Sequence, residues 1–371
     1  MKKNILIVLL AVFLLLTIFQ GRTANATPGF KKDASALQIR EDISSLPYQS
    51  HSPSSTKTPH QVIIPNDCIY INHTDNFTQQ GFTNPGNSTY PYKIAGLEIT
   101  NFSCVLIYIE NIAVPFIIYD MVLDGINNTN NGIVLKNSPD AEIKNVEISN
   151  CKDGIVLTNS DNVTIKNCYI HHNEDPATKQ CGLLVGGGRG VFINESNYVK
   201  TTNSDITDND EGVTVDSSDN SSKRMVGGSS NNLVRDSKLL RNRNGVVICS
   251  GCSDNTVQGN TISDNSIYGV VCRTGSSNNI VRDNCFYGNG NGSSQQASDS
   301  GTSNTFESNF WSDWSSGVYS IDGTVSNTDA SPLSICPVTV PGMTIPIVIS
   351  SLLIIVIFVK VRSKRRNSKK T

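Results

Sequence analysis

Residues able to do chemistry gather at two places in this chain. Asp205, Asp208, Asp210 and Glu211 form the densest acidic cluster, followed by Asp216 and Asp219. Carboxylates that stand close together can act as acid and base at a glycosidic bond, or hold a cation while a basic residue removes a proton. Asp is also a turn residue, because its side chain bonds the backbone two residues on; the turn reading is the plainer one. The second place is His171-His172 with Glu174 and Asp175, where paired histidines meet carboxylates and the insertion "EDPATKQ" follows. Such a set could take copper or calcium, or move protons. Neighbouring side chains on a strand point to opposite faces, so both rings reach one ion only if the strand ends there. A surface loop is the alternative.

Other motifs carry less. Cys249-Ser250-Gly251-Cys252 could be a redox or metal-binding thiol pair, although outside the cell a disulfide is the expected state. "GGGRG" at 186–190 lacks the Lys-Ser/Thr ending of a phosphate loop and reads as a bend. Asn327-Thr328-Asp329 occurs without any Gly-His-Gly, which weighs against pectin hydrolysis. Five histidines and four methionines give copper little support.

These residues must be positioned by a repeat. "NGIVLKNSPDAEIKNVEISNC" (131–151) and "DGIVLTNSDNVTIKNCYIHHN" (153–173) are its clearest copies. Others begin at 211, 244 and 268, and an irregular one fills 181–209. Aligned, they show a glycine column (Gly132, Gly154, Gly182, Gly212, Gly245, Gly269) and an aliphatic column (Ile143, Ile165, Val234, Val257, Val281). A second aliphatic column (Ile148, Ile170, Leu239, Ile262, Phe286) precedes an asparagine column (Asn173, Asn209, Asn242, Asn265, Asn289). The unit is too short and too β-branched for paired helices and alternates with period two, so it is a strand repeat. Coils stacked in a right-handed parallel β-helix satisfy it, an all-β, pectin-lyase-like solenoid. Aliphatic columns become the interior, asparagines bond along the axis and tolerate the left-handed bends, and glycines take positive φ. Residues 61–130, with three alternating runs, are the first coils or a cap. Phe306 and Trp311 continue the columns into a closing plug, with Trp314 beside them.

The ends place the fold. Lys2 and Lys3, an apolar run to Phe19 and Ala24-Asn25-Ala26 predict a signal peptide over 1–26. Residues 27–60 read as a flexible spacer and 61–335 as the ectodomain. Residues 338–359 are long and apolar enough to span a bilayer, and the basic tail 360–371 follows on the cytoplasmic side. A type I plasma-membrane protein with an extracellular ectodomain is expected. The net charge of −2 hides an acidic ectodomain, which disfavours nucleic acid as a partner. Ten cysteines predict disulfides, without fixing their pairing. Sequons at Asn72, Asn76, Asn87, Asn101, Asn162 and Asn194 admit N-glycosylation.

With "GIVL…N…I…N…I" coils, the entry "PYKIAGLEI" after Gly81-Phe82, and the closing "NFWSDW…YSIDG…SPL", the chain resembles the NosD-like β-helix family over about 61–335. That family is also described as periplasmic copper-binding or as carbohydrate-binding and sugar-hydrolase proteins. The resemblance implies a right-handed β-helix outside the cytoplasm and no single activity. The leading expectation is a surface-anchored, non-catalytic protein contacting glycans or envelope proteins, with no cofactor. The alternatives are a polysaccharide lyase, hydrolase or epimerase using Asp205, Asp208, Asp210, Glu211 and Asp216, and a metal-handling protein using His171, His172, Glu174 and Asp175.

Overall fold

Alternation sets the strands, and stacking sets their order. The computed structural model describes residues 61–63, 68–82, 84, 86–101, 103–127, 129–175, 187–217, 228–292 and 296–338. The expected signal peptide, the spacer, and the span and tail from 339 onward lie outside these residues. Among the described residues no helix is long and apolar enough to cross a membrane.

The chain winds as a right-handed parallel β-helix of about eight turns. One face is a nine-stranded sheet of Ile69–Ile71, Ile107–Glu110, Ile133–Lys136, Ile155–Thr158, Arg189–Asn194, Glu211–Asp216, Asn244–Ile248, Tyr268–Cys272 and Ala297–Asp299. The other two faces form a 19-stranded sheet. Both predicted aliphatic columns stack in register. One runs Ile143, Ile165, Thr201, Val234, Val257, Val281 and Phe306. The other runs Ile148, Ile170, Ile206, Leu239, Ile262, Phe286 and Trp311. All of these side chains are buried. Such columns bury apolar area at every coil, about 25 cal/mol per Å².

Each later coil turns three corners, and the corners follow one rule: a left-handed residue, then a buried ladder residue. In one coil the pairs are Asp254-Asn255, Gly259-Asn260 and Asp264-Asn265, with φ of 57°, 66° and 56° at the first member. The second members bond along the axis. Asn173, Asn209, Asn242, Asn265 and Asn289 are joined from Nδ2 to the next Oδ1 at 2.8–3.2 Å. Asn255, Asn279 and Asn304 form a second ladder, and Asn260, Asn284 and Asn309 a third. The asparagine column is structural, as expected, but its members do not hold the left-handed conformation; the residue before each does.

The glycine column also differs from expectation. Its members do not take positive φ; a Cβ on Gly154 would lie 2.7 Å from Ile170 Cγ2 and 2.6 Å from the Gly190 carbonyl. Space, not backbone conformation, demands glycine there. The irregular coil supplies Gly190, because Val191 pairs with Ile155. Gly182 lies outside the described residues.

Both ends are closed by aromatics. Phe77, on the short helix Asp75–Gln79, stacks on Tyr92 at 4.3 Å and is fully buried. At the other end Trp311 lies between Phe286 and Tyr319, at 4.2 and 4.1 Å. Trp311 is a plug, and Trp314 packs partly buried beside the core. Disulfides join Cys68 to Cys104 and Cys285 to Cys336. The disulfide expected between Cys249 and Cys252 is not formed; both are buried thiols, and Cys252 Sγ faces the Val215 carbonyl at 3.5 Å. Cys168 lies in the wall as expected, 3 % exposed. Of the sequons, Asn101 and Asn194 are buried, while Asn72, Asn87 and Asn162 face outward.

Candidate functional site

The corner rule disperses the acidic cluster. Asp205 opens a strand on the 19-stranded sheet and pairs with Lys238 at 3.1 Å. Asp208 is a left-handed corner residue forked by Arg241 at 2.8 and 2.7 Å. Burial works against the Asp208 carboxylate, yet the Arg241 guanidinium holds it below the usual carboxylate range. Asp210 accepts the Asp175 backbone N–H at 3.3 Å. Glu211 and Asp216 occupy opposite ends of one strand, about 16 Å apart at the rise of a β-strand.

The histidines come together. Their strand, Tyr169–His171, ends at the first ring, and His172 takes the left-handed corner with φ 54°. That swing brings the two Nδ1 atoms to 2.8 Å, while His171 Nε2 faces Glu147 at 3.5 Å. Asp175 instead pairs with Lys152 at 3.2 Å, and the Glu174 N–H donates to the Cys151 carbonyl. Among the described residues no three His, Cys, Asp or Glu side chains form a group able to hold a metal. Of "GGGRG", Gly187 and Gly188 bend, with φ of 138° and 81°, and Arg189 and Gly190 open a strand.

A different constellation emerges on the nine-stranded sheet. The residues directly before the glycines are Asn131, Asp153, Arg189, Glu211, Asn244 and Tyr268, and they form a polar column. Asn131 Oδ1 accepts the Asp153 N–H at 3.2 Å, and Asp153 accepts from Arg189 Nε and Nη2 at 2.9 and 3.0 Å. Farther along, Asn244 Nδ2 donates to Glu211 Oε1 at 3.2 Å, and its Oδ1 accepts the Tyr268 N–H at 3.2 Å. The Tyr268 hydroxyl donates to Asp322.

Glu211 is 7 % exposed, and its Oε2 is buried without a hydrogen-bond partner. Burial pushes its carboxyl up from the usual range, against the Asn244 bond and the charges of Arg273, Arg243 and Arg189. Perturbed groups of this kind mark functional sites more often than chance.

Beside the polar column runs an outward one. Tyr70, Tyr108, Val134, Val156, Phe192, Thr214, Val247, Val271 and Ser298 stand in register from coil to coil. Tyr70 and Tyr108 stack at 5.2 Å, and Arg189 lies 3.6 Å over the Phe192 ring. The column runs from an open end at Tyr70, 51 % exposed, to an enclosed stretch at Phe192, Thr214 and Val247. None of Val134, Phe192 or Val247 joins the interior core. Two of the repeat's breaks, 176–186 and 218–227, adjoin this stretch in sequence and lie outside the described residues.

Of the sequence candidates, only Glu211 belongs to this constellation. Arg189, Asn244, Arg243, Arg273, Tyr268 and Phe192 were missed. For Arg189, Asn244 and Tyr268 the signal is the polar residue before each column glycine, which takes in Arg189 only when Gly190 and not Gly182 opens the irregular copy; Arg243, Arg273 and Phe192 carry no such signal.

The family models agree with the fold. Residues 107–224 match a model described as a right handed beta helix region, and residues 184–328 match one described as periplasmic copper-binding protein (NosD). The chain is a right-handed β-helix, NosD-like over residues 184–328. Solved structures similar to it include the A-module of a mannuronan C-5 epimerase from Azotobacter vinelandii, 15 % identical with a TM-score of 0.45, over 64 % of this chain and 74 % of that one. An alginate lyase from Paenibacillus is 13 % identical with a TM-score of 0.47, over 66 % and 89 %. A surface adhesin of Streptococcus pneumoniae is 12 % identical with a TM-score of 0.41, over 59 % and 69 %. This likeness is one of fold. No curated relative matches the chain.

The donors in the NosD-like stretch do not fit copper. Residues 184–328 contain no histidine. Burial pushes the Cys249 and Cys252 thiols up to about 12 and raises Cys272 as well, and Cys285 is disulfide-bonded. Thiolate is the ligand form, and these cysteines are held away from it.

Proposed function

We propose that the protein is an extracytoplasmic β-helix that binds carbohydrate along the outer face of its nine-stranded sheet, without catalysis, and is anchored in the plasma membrane by its C-terminal span. The carrying observation is the pair of adjacent columns, one apolar and aromatic, one rich in hydrogen-bonding groups, repeated coil after coil. A sugar ring presents the matching pair, a C–H face and a hydroxyl edge. The non-catalytic reading rests on carboxylates that are engaged, Asp210 by the Asp175 N–H, or far apart. Asp205 and Asp208 are engaged by Lys238 and Arg241, and Glu211 and Asp216 lie well beyond the ~5–9.5 Å that a glycosidic acid–base pair needs.

The full-length protein, purified in detergent, is expected to bind members of a glycan panel. Phe192→Ala should weaken that binding about tenfold, the scale of a buried aromatic contact. Absence of binding to every glycan, or release of reducing or unsaturated ends, would overturn the reading.

A further inference from the structure

We propose, resting on the carbohydrate-binding reading, that the enclosed part of this face is a subsite for the carboxylate of an acidic sugar. Glu211 donates a hydrogen bond to it from Oε2, and Arg243 and Arg273 supply the countercharge. Three observations converge. Glu211 Oε1 is occupied by Asn244, whereas Oε2 is buried and has no partner in the protein. An ionised carboxylate in that position would carry an unsolvated oxygen, so the proton-bearing form with an incoming acceptor is the less costly arrangement. Among the described residues, neither half-buried Arg243 nor exposed Arg273 forms an ion pair, although both act on the Glu211 carboxyl.

Charge balance selects the ligand. Arg189 also acts on Glu211, but its fork on Asp153 neutralises it. The other charged groups around this set are the adjoining Asp210, whose Oδ2 accepts the Asp175 N–H, and Asp216, which acts with Arg273 and Glu211 on the buried Cys249 thiol. With Glu211 protonated, no carboxylate among the described residues lies within ion-pair distance of Arg243 or Arg273, so the two guanidiniums lack a paired anion there. A uronic-acid carboxylate supplies that anion and accepts the Glu211 hydrogen bond, whereas a neutral sugar supplies neither.

The sign of the pH dependence follows. The Glu211 proton is present below its raised pKa and lost as pH rises through it, so uronate affinity is expected to fall with rising pH.

The test uses full-length protein and oligomers of galacturonate, mannuronate and guluronate, each beside its carboxyl-reduced, neutral counterpart. Wild type is expected to prefer at least one uronate oligomer over its reduced counterpart by about tenfold or more. Arg273→Ala, at an exposed position, should erase most of that preference. Glu211→Gln keeps a neutral donor, so it should retain the preference and flatten the pH dependence, with thermal unfolding checking that it folds. Equal binding of acidic and reduced oligomers would overturn the subsite while leaving carbohydrate binding intact. Failure to bind any glycan would overturn both. Loss of the preference in a folded Glu211→Gln would show that the carboxylate acts instead, and would overturn the donor role.

Discussion

An asparagine in the third ladder shows how much one side chain holds. Asn284 Oδ1 accepts from the Asn260 backbone N–H and Nδ2, both at 3.0 Å, while its Nδ2 donates to the Val257 carbonyl at 2.9 Å. Asn284→Ala would leave the buried Asn260 N–H without its partner, at about 1–3 kcal/mol, and would take one bond each from the Val257 carbonyl and from Asn260 Nδ2, which keeps the Val234 carbonyl, at about 1 kcal/mol apiece. A loss of roughly 3 kcal/mol or more is therefore expected, seen as a lower melting temperature and faster amide exchange in the coils on either side. Serine is the built-in control, because Ser237 occupies this column two coils earlier and its hydroxyl accepts the Ser204 N–H at 3.2 Å. Asn284→Ser should cost distinctly less, and equal losses would count against the ladder account. One ladder was legible in the sequence because its asparagines follow the second aliphatic column at a fixed offset. The other two were not, because serine, cysteine and valine replace asparagine in their early coils, as at Ser204, Cys168 and Val163. The site was legible only at Glu211. Asn244 and Arg189 are read from the column before the glycines, and Arg189 is lost from it when Gly182 takes the place of Gly190, whereas Arg243 and Arg273 reach Glu211 from outside the column.

Strands and caps were far easier to read, since an alternating aliphatic pattern has one buried face whatever its neighbours. The interior columns and the closing tryptophan stand where the repeat put them. Hydrophobicity alone did not reveal why the column glycines are glycine; that reason is a carbonyl and an isoleucine methyl in the next turn, a fact of stacking geometry. The cap carries its own expectation. Trp311 is 1 % exposed, stacks on two aromatic rings and donates from Nε1 to Asp329 Oδ2 at 3.0 Å. Asp329 also receives the Asn309 N–H at 2.9 Å, so one carboxylate ends a ladder and anchors the plug. Trp311→Ala is expected to cost about 3–5 kcal/mol and, by uncovering a strand edge, to promote association visible in sedimentation velocity. Trp314→Ala, at a partly buried position, should cost less than about 1 kcal/mol. Comparable losses from the two changes would show that neither serves as the plug.

At the scale of the molecule, a solenoid has no contacts between distant coils, so its stability is a chain of nearest-neighbour terms that weakens first at the ends. The two disulfides lie where that matters. Cys68–Cys104 ties the first two strands of the nine-stranded sheet, and Cys285–Cys336 fastens the segment beyond the plug to a coil near the end. The second closes a loop of 51 residues, for which chain entropy alone gives about 4 kcal/mol. Cys336→Ser is therefore expected to open the C-terminal coils without unfolding the centre. Hydrogen exchange should show lost protection in the strands Thr305–Glu307 and Phe310–Trp311, with Thr164–Lys166 and Tyr169–His171 unchanged. Uniform loss along the chain would mean that the coils unfold as one cooperative unit. The proposed acidic-sugar subsite sits between these extremes, on coils supported from both sides, so uronate binding in Cys336→Ser should match wild type. A parallel loss of binding and of C-terminal protection would tie the subsite to the cap and contradict the nearest-neighbour picture.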